Sequence, residues 1–234
     1  MTDQAQVLAA LDAVRDPELD EPVTALGFVS SCTVSDSGDV QVRLRLPTYF
    51  CAPNFAFLMV ADAYDAVSAL KGVRRTEVVL DDHFASHAIN RGIAARSGFA
   101  DSFGDLAAGE LDELRVGFIR KAVLAGTDRV CRPLLAAGRT MDELAEMSLG
   151  DVPPSPELQR LRERRTELAL PADDASALLV DATSGEAVGA QALPLHLRKA
   201  RLTRVNIEAN GSMCRGMLAS RYDTRGLGEM EEVR

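Results

Sequence analysis

Cys51 sits in the segment LPTYFCAPNF, residues 46–55, where an alternating apolar and polar run ends and a proline-led apolar run begins. Pro53 suits the first position of a helix, so Cys51 is expected at a helix entrance. There the backbone N–H groups lack partners and the macrodipole is positive, which is where a negatively charged sulfur is stabilised. The plainer use of a free cysteine is as a small buried hydrophobe. That use fits Cys32, inside a strand pattern, and Cys131, in the apolar helical context DRVCRPLL. Cys214, in NIEANGSMCRGML, offers a second thiolate if the C-terminal part folds over the first domain. His83 and His87 stand four apart in DDHFASHAIN, and on a helix they would share one face and reach one ion. With Asp81 or Asp82 that set resembles the two-histidine, one-carboxylate pattern suited to ferrous iron. Phe84 follows His83, so the HExxH zinc pattern is excluded. No CxxC pair occurs among the cysteines at 32, 51, 131 and 214, and a metal site must gather its ligands from distant segments.

The elements that must position these groups are legible in the periodicity. Val7, Leu8, Leu11 and Val14 have helical spacing, and the following Asp16-Pro17 ends that helix. DPELDEPV is then a loop. FVSSCTVS and DVQVRLRL flank Asp36-Ser37-Gly38 as a hairpin, with Val40, Val42, Leu44 and Leu46 on its buried face. A helix from Pro53 to about Leu70 ends before Gly72, and RRTEVVL supplies a third strand. The order helix, strand, strand, helix, strand gives a small α/β sandwich, and the chain as a whole reads as α+β. Residues 1–97 form this domain. A helical region is expected over 98–170, carrying Leu106, Leu111, Leu114, Phe118 and Val123, a capping box at Thr140 and Glu143, and a charged helix over 156–168. Residues 171–234 read as β-rich: ALLVD, a turn at Thr183-Ser184-Gly185, AVGAQAL, and RLTRVNIEANG with Val205, Ile207 and Ala209 alternating with polar residues. His196, in LPLHLRK, is placed on a strand's outer face, and Asn210-Gly211 reads as a hairpin turn.

Composition narrows the function classes. The 234 residues are 47% hydrophobic, enough for a sizeable core. A formal net charge of -9, with Lys and Arg only in short clusters, argues against a nucleic-acid surface. No window approaches the roughly 18 uninterrupted apolar residues of a membrane span, and MTDQAQVLAALDAVRDPE lacks the pattern of a signal peptide, so a cytoplasmic location is expected. The chain has no nucleophile elbow, P-loop or dinucleotide fingerprint.

Residues 6–80 resemble the iron-sulfur assembly-factor family that includes the SufT and PaaD proteins. The likeness rests on Asp16-Pro17-Glu18, on Leu26-Gly27 with Val29 following, on Cys51 after Thr48, and on Gly72-Val73 before the last strand. The family's Thr-x-Pro-x-Cys-Pro segment reads Thr48-Tyr49-Phe50-Cys51-Ala52-Pro53 here, with Ala52 inserted before the proline. The resemblance implies a scaffold that delivers iron or an iron-sulfur cluster, held transiently, to a client iron protein, plausibly an oxygenase component. Cys51 would be the transfer thiol, with Asp16 and Glu18 as the family's acidic turn. A delivery protein must release what it binds, and one accessible thiolate with a few oxygen or nitrogen donors suits release better than four closed ligands. The extension past residue 98 would recognise the client. The same inventory also suits a non-catalytic adaptor or folding chaperone that binds no metal, a metal held between the subunits of a homodimer, or, in the enzyme class, a non-haem-iron site at His83 and His87. An accessory factor rather than an enzyme is the expectation.

Overall fold

A computed structural model of the chain describes residues 2–104, 107 and 111–222. The described residues fall into two compact units: those of Met1–Leu111 together with those of Asn210–Arg234, and Asp112–Ala209.

The first unit opens with α1 (Gln4–Leu11), started by Asp3, whose side chain accepts from the Gln6 N–H while Gln6 reaches back to the Asp3 N–H. β1 (Val29–Val34) and β2 (Asp39–Arg45) form an antiparallel hairpin. Its turn needs Gly38, which has φ +82°; a Cβ there would stand 2.5 Å from the Gly72 carbonyl oxygen. α2 (Pro53–Ser68) crosses over to β3 (Arg75–Asp81), which pairs parallel to β2, giving the sheet order β1-β2-β3. The alternation read in β2 holds, since Val40, Val42 and Leu44 are buried, joined by Val78 and Leu80 of β3. Across from them pack Val7 and Leu11 of α1 and Ala56, Val60, Ala63 and Val67 of α2. Each fully buried Val or Leu contributes about 1.5–3 kcal/mol. The expected order of helix, strand, strand, helix, strand is the order found. α3 (Ser86–Ala94) and α4 (Phe99–Phe103) follow.

The second unit is built on α5 (Asp112–Ala136) packed against α7 (Pro156–Glu167), with α6 (Met141–Glu146) between them in sequence. Of the helical region read over 98–170, residues 105, 106 and 108–110, Leu106 among them, lie outside the described residues. The capping box of Thr140 and Glu143 and the start of α7 at Pro156 are as read. Arg165 is fully buried and donates to the carbonyls of Ala177 and Leu178, at 2.9 and 2.5 Å, which ties the segment after α7 to the helix.

The β-rich reading of residues 171–234 is corrected by the structure over residues 171–222; residues 223–234 lie outside the described residues. Ala177, Val180 and Ala187 take part only in isolated bridges, although the turn read at Thr183-Ser184-Gly185 is present, with Gly185 at φ +76°. Leu193–Tyr222 is one helix, α8. Its buried positions, Leu193, Ala200, Arg204, Ile207, Gly211 and Leu218, recur at intervals of 3, 4 or 7, the helical repeat. The five-residue alternation around Val205 was local, and Val205 itself is 47% exposed. Asn210-Gly211 is therefore interior to a helix rather than a turn, and His196 lies on α8.

Candidate functional site

The parallel pairing of β2 and β3 brings the site together. Arg45 at the end of β2 faces Asp81 at the end of β3, so the segments leaving the two strands, residues 46–52 and 82–85, run side by side. Leu46 and Pro47 are buried, the chain turns, and α2 begins at Pro53 with Ala52 as its N-cap. Cys51 precedes that cap and is half-buried. Its sulfur lies 3.3 Å from the Thr48 hydroxyl.

His83 is 2% exposed and holds this turn in place. The Ala85 N–H donates to Nδ1 at 3.2 Å, which requires the other nitrogen to carry the proton, and Nε2–H donates to the Cys51 carbonyl at 2.7 Å. Burial, and to a smaller degree the Arg221 charge, keeps the imidazole below its ordinary pKa, against the opposing pull of the Cys51 carbonyl. Both ring nitrogens are thus engaged. The shared helical face read for His83 and His87 does not form, because α3 starts only at Ser86 and Asp82, at φ +50°, turns the chain before it. His87 is exposed on α3. Asp81 is tied to Arg43 through both carboxylate oxygens, and Asp82 to Arg221 and Tyr222.

The acidic turn is equally defined. Asp16 Oδ1 accepts from the N–H groups of Glu18 and Leu19, both at 2.9 Å, and the Asp20 N–H bonds the Asp16 carbonyl. A bridge between Arg15 and Pro22 closes the loop. Asp16 is 8% exposed, and burial, only partly offset by these donors, pushes its carboxyl up to about 6. Glu18 is half-buried.

Cys214, in the part of α8 that belongs to the first unit, is half-buried. Burial, and after it the negative fields of Asp16, Cys51 and Glu18, pushes its thiol up to about 11. Cys51 and Cys214 both pack against the one core cluster. Of the candidate ligands, the structure sets Cys51 before α2, Asp16 and Glu18 on the acidic turn and Cys214 on α8, gives His83 a backbone role, and leaves His87 exposed on α3. Among the described residues no three His, Cys, Asp or Glu side chains already stand close enough to hold an ion. Thiol sulfur and carboxylate oxygen are donor types that iron accepts.

An exposed aromatic group borders Cys51. Tyr49, Phe50 and Phe84 are 45%, 76% and 49% exposed, and their ring centroids lie 5.1 to 6.4 Å apart. Tyr49 and Phe50 are visible beside Cys51 in the sequence. Phe84 arrives through the β2 and β3 pairing, its N–H bonding the Tyr49 carbonyl at 3.1 Å, which no local pattern announces.

Fold and site together define a small α+β domain that presents a half-buried thiol at the mouth of a helix, bordered by an aromatic rim. Residues 4–80 match the family model described as iron-sulfur cluster assembly protein. Over 90 residues the chain is 31% identical to the uncharacterized protein MJ1129 of Methanocaldococcus jannaschii, covering 38% of this chain and 93% of that protein. No solved structure gives a significant match. The chain belongs to the iron-sulfur cluster assembly protein family through its N-terminal domain, and its role lies in iron-sulfur cluster assembly. No helix among the described residues is long and apolar enough to cross a membrane.

Proposed function

We propose that the protein is a cytoplasmic, non-catalytic maturation factor that receives iron or an iron-sulfur cluster and passes it to a client iron protein, plausibly a component of a multicomponent oxygenase, with Cys51 as the transfer thiol. The observation that carries this reading is the placement of Cys51: half-buried before the first turn of α2, its carbonyl clamped by His83 and its sulfur beside Thr48. A half-buried thiol held by its backbone can take a ligand position on iron and give it up again when few groups bind the cargo. The test is transfer of a cluster, assembled anaerobically on the protein from iron and sulfide, to an apo-ferredoxin. The wild type should transfer and Cys51→Ala should not; equal transfer by both would end the proposal.

A second reading, a docking adaptor that carries no metal, draws support from the exposed rim of Tyr49, Phe50 and Phe84. The double substitution Phe50→Ser, Phe84→Ser separates the two. Under the adaptor reading it abolishes client binding while Cys51→Ala leaves client maturation intact; under the delivery reading Cys51→Ala blocks maturation of a client that still binds. The non-haem-iron reading at His83 and His87 loses ground, since His83 would have to abandon the Cys51 carbonyl or the Ala85 N–H to bind an ion.

A further inference from the structure

The sheet order β1-β2-β3 leaves β3 as an edge strand. Its outer side is marked by Asn90 of α3, whose side-chain amide accepts from the Leu80 N–H at 2.8 Å and donates to the Leu80 carbonyl at 3.0 Å. Asn90 thus pairs with Leu80 as a neighbouring strand would, and it closes the edge there. Backbone groups of alternate residues in a strand point to the same side, so the N–H and C=O of Thr76 and Val78 face outward with those of Leu80. Among the described residues no hydrogen bond reaches those four groups from outside the sheet. Beside them, between β3 and the helices α2 and α3, runs a groove of about 450 Å³ whose lining includes Tyr64, Ser68, Val73, Ile93 and Ala94. Val78 is buried while Arg75 and Glu77 are exposed, so the side chains of Thr76 and Val78 lie on the helix side of the sheet and the two charged ones on the other. Arg75 has no ion pair among the described residues, and Glu77 accepts from the uncharged Gln41 amide at 2.8 Å.

We propose that the free edge of β3 is a docking site for an extended segment of a partner polypeptide, which adds as a fourth, antiparallel strand along residues 76–78. Unpaired edge groups are a template for another strand, and strand addition takes its affinity from the main chain and its specificity from alternate side chains. The segment's apolar side chains enter the groove; of those on the other face, one is acidic opposite Arg75 and one basic opposite Glu77. A second copy of the chain fits this edge poorly. The two-fold pairing that uses all four groups sets Thr76 against Val78 twice and brings Glu77 opposite Glu77, a like-charge contact. Moving the axis toward the strand end meets Asn90, and moving it toward the start meets Arg74, whose N–H is taken by the Gly38 carbonyl at 2.8 Å. The inference goes beyond the reading of Cys51 and does not depend on it.

The test is an NMR titration of the full-length protein with the synthetic peptide acetyl-TVKVEVT-amide, which carries this pattern in antiparallel register, its glutamate opposite Arg75 and its lysine opposite Glu77. Amide exchange at Thr76 and Val78 of the wild type should slow on binding and their shifts should move saturably, while the amides of the other edge strand, β1, do not respond. Thr76→Pro removes an outward N–H without removing a bond to β2, so the fold is kept and the peptide should bind about tenfold more weakly or worse. Arg75→Glu should weaken this peptide about two- to fivefold and should favour instead the peptide with lysine in place of the glutamate. Folding of each variant is checked by tyrosine-monitored urea unfolding. Binding that protects β1 rather than Thr76 and Val78, binding indifferent to both substitutions, or no binding by the folded wild type would overturn the inference. So would sedimentation of the wild type as a dimer that Thr76→Pro returns to monomer, which would assign the edge to a second copy. None of these readouts involves metal, so the reading of Cys51 stands or falls separately, by cluster transfer.

Discussion

Replacing Asp16 with asparagine should stabilise the first unit at neutral pH and remove a pH dependence the wild type shows. Asp16 is buried, and burial raises its carboxyl from 3.8 to about 6 despite the two N–H groups that favour its charged form. The shift is a little over two units, and at 1.36 kcal/mol per unit it corresponds to about 3 kcal/mol. Because the folded value lies above the unfolded one, the folded state binds more protons between about pH 4 and 6. Stability is then greatest below the unfolded pKa and falls as pH rises through the folded one, levelling off above about pH 7. Asparagine keeps an oxygen for the Glu18 and Leu19 N–H groups but carries no charge to desolvate. Its neutral hydrogen bonds are weaker, so a net gain of about 1–3 kcal/mol is expected at pH 7.5 and little difference at pH 4. The assay is urea unfolding from pH 4 to 8 followed by tyrosine fluorescence. The chain has no tryptophan and its three tyrosines, Tyr49, Tyr64 and Tyr222, all belong to the first unit, so the signal reports that unit alone. Profiles that run parallel for the two proteins across this range would refute the reasoning. A confirmed gain would mean that a costly buried carboxylate is retained in the acidic turn, as expected where function and stability compete.

Three further outcomes follow from particular contacts. His83→Ala removes the clamp on the Cys51 carbonyl and should cost about 1–3 kcal/mol while speeding alkylation of Cys51; an unchanged alkylation rate measured by mass spectrometry contradicts the positioning role. Gly38→Ala combines a left-handed φ with a clash against the Gly72 carbonyl and should destabilise the first unit by at least about 1–3 kcal/mol, read by the same tyrosine-monitored unfolding. In the second unit Glu143, Asp151 and Asp181 are held below the ordinary carboxylate range, first by N–H groups of Thr140, Ser148 and Ser184 respectively. Their contribution is complete above about pH 5 and is lost as pH falls through their lowered values, so helical circular dichroism should weaken on acidification to about pH 2.5 and hold between pH 5 and 7.

The first unit was readable because each of its segments carries a strong local signal that agrees with the fold. Val40, Val42 and Leu44 alternate, Pro53 opens α2, and Gly38 marks a turn no other residue enters easily. Cys51 and the acidic turn were placed for the same reason, since a strand end, a helix start and an Asp-Pro loop are local events. What brings them together is not local. The parallel pairing of Arg45 with Asp81 joins segments far apart in sequence, and it turns His83 from a supposed ligand into a backbone clamp and adds Phe84 to the rim. The C-terminal error has a different cause. Val205, Ile207 and Ala209 alternate over five residues, and Asn210-Gly211 imitates a hairpin turn, yet the burial of Ala200, Arg204, Ile207, Gly211 and Leu218 repeats over five helical turns. Three alternating residues are too few to separate the two periods, and a glycine buried inside α8 looks, in sequence, like a glycine required for a turn.

The most direct measurement is the iron and acid-labile sulfide content of the protein isolated anaerobically from its native cells together with whatever it binds, for the wild type and for Cys51→Ala. A transfer role predicts iron in the wild-type preparation, a co-purifying iron protein, and a Cys51→Ala preparation that retains the partner but has lost the metal. Metal-free wild type bound to its partner, with Cys51→Ala cells maturing that partner normally, would contradict it.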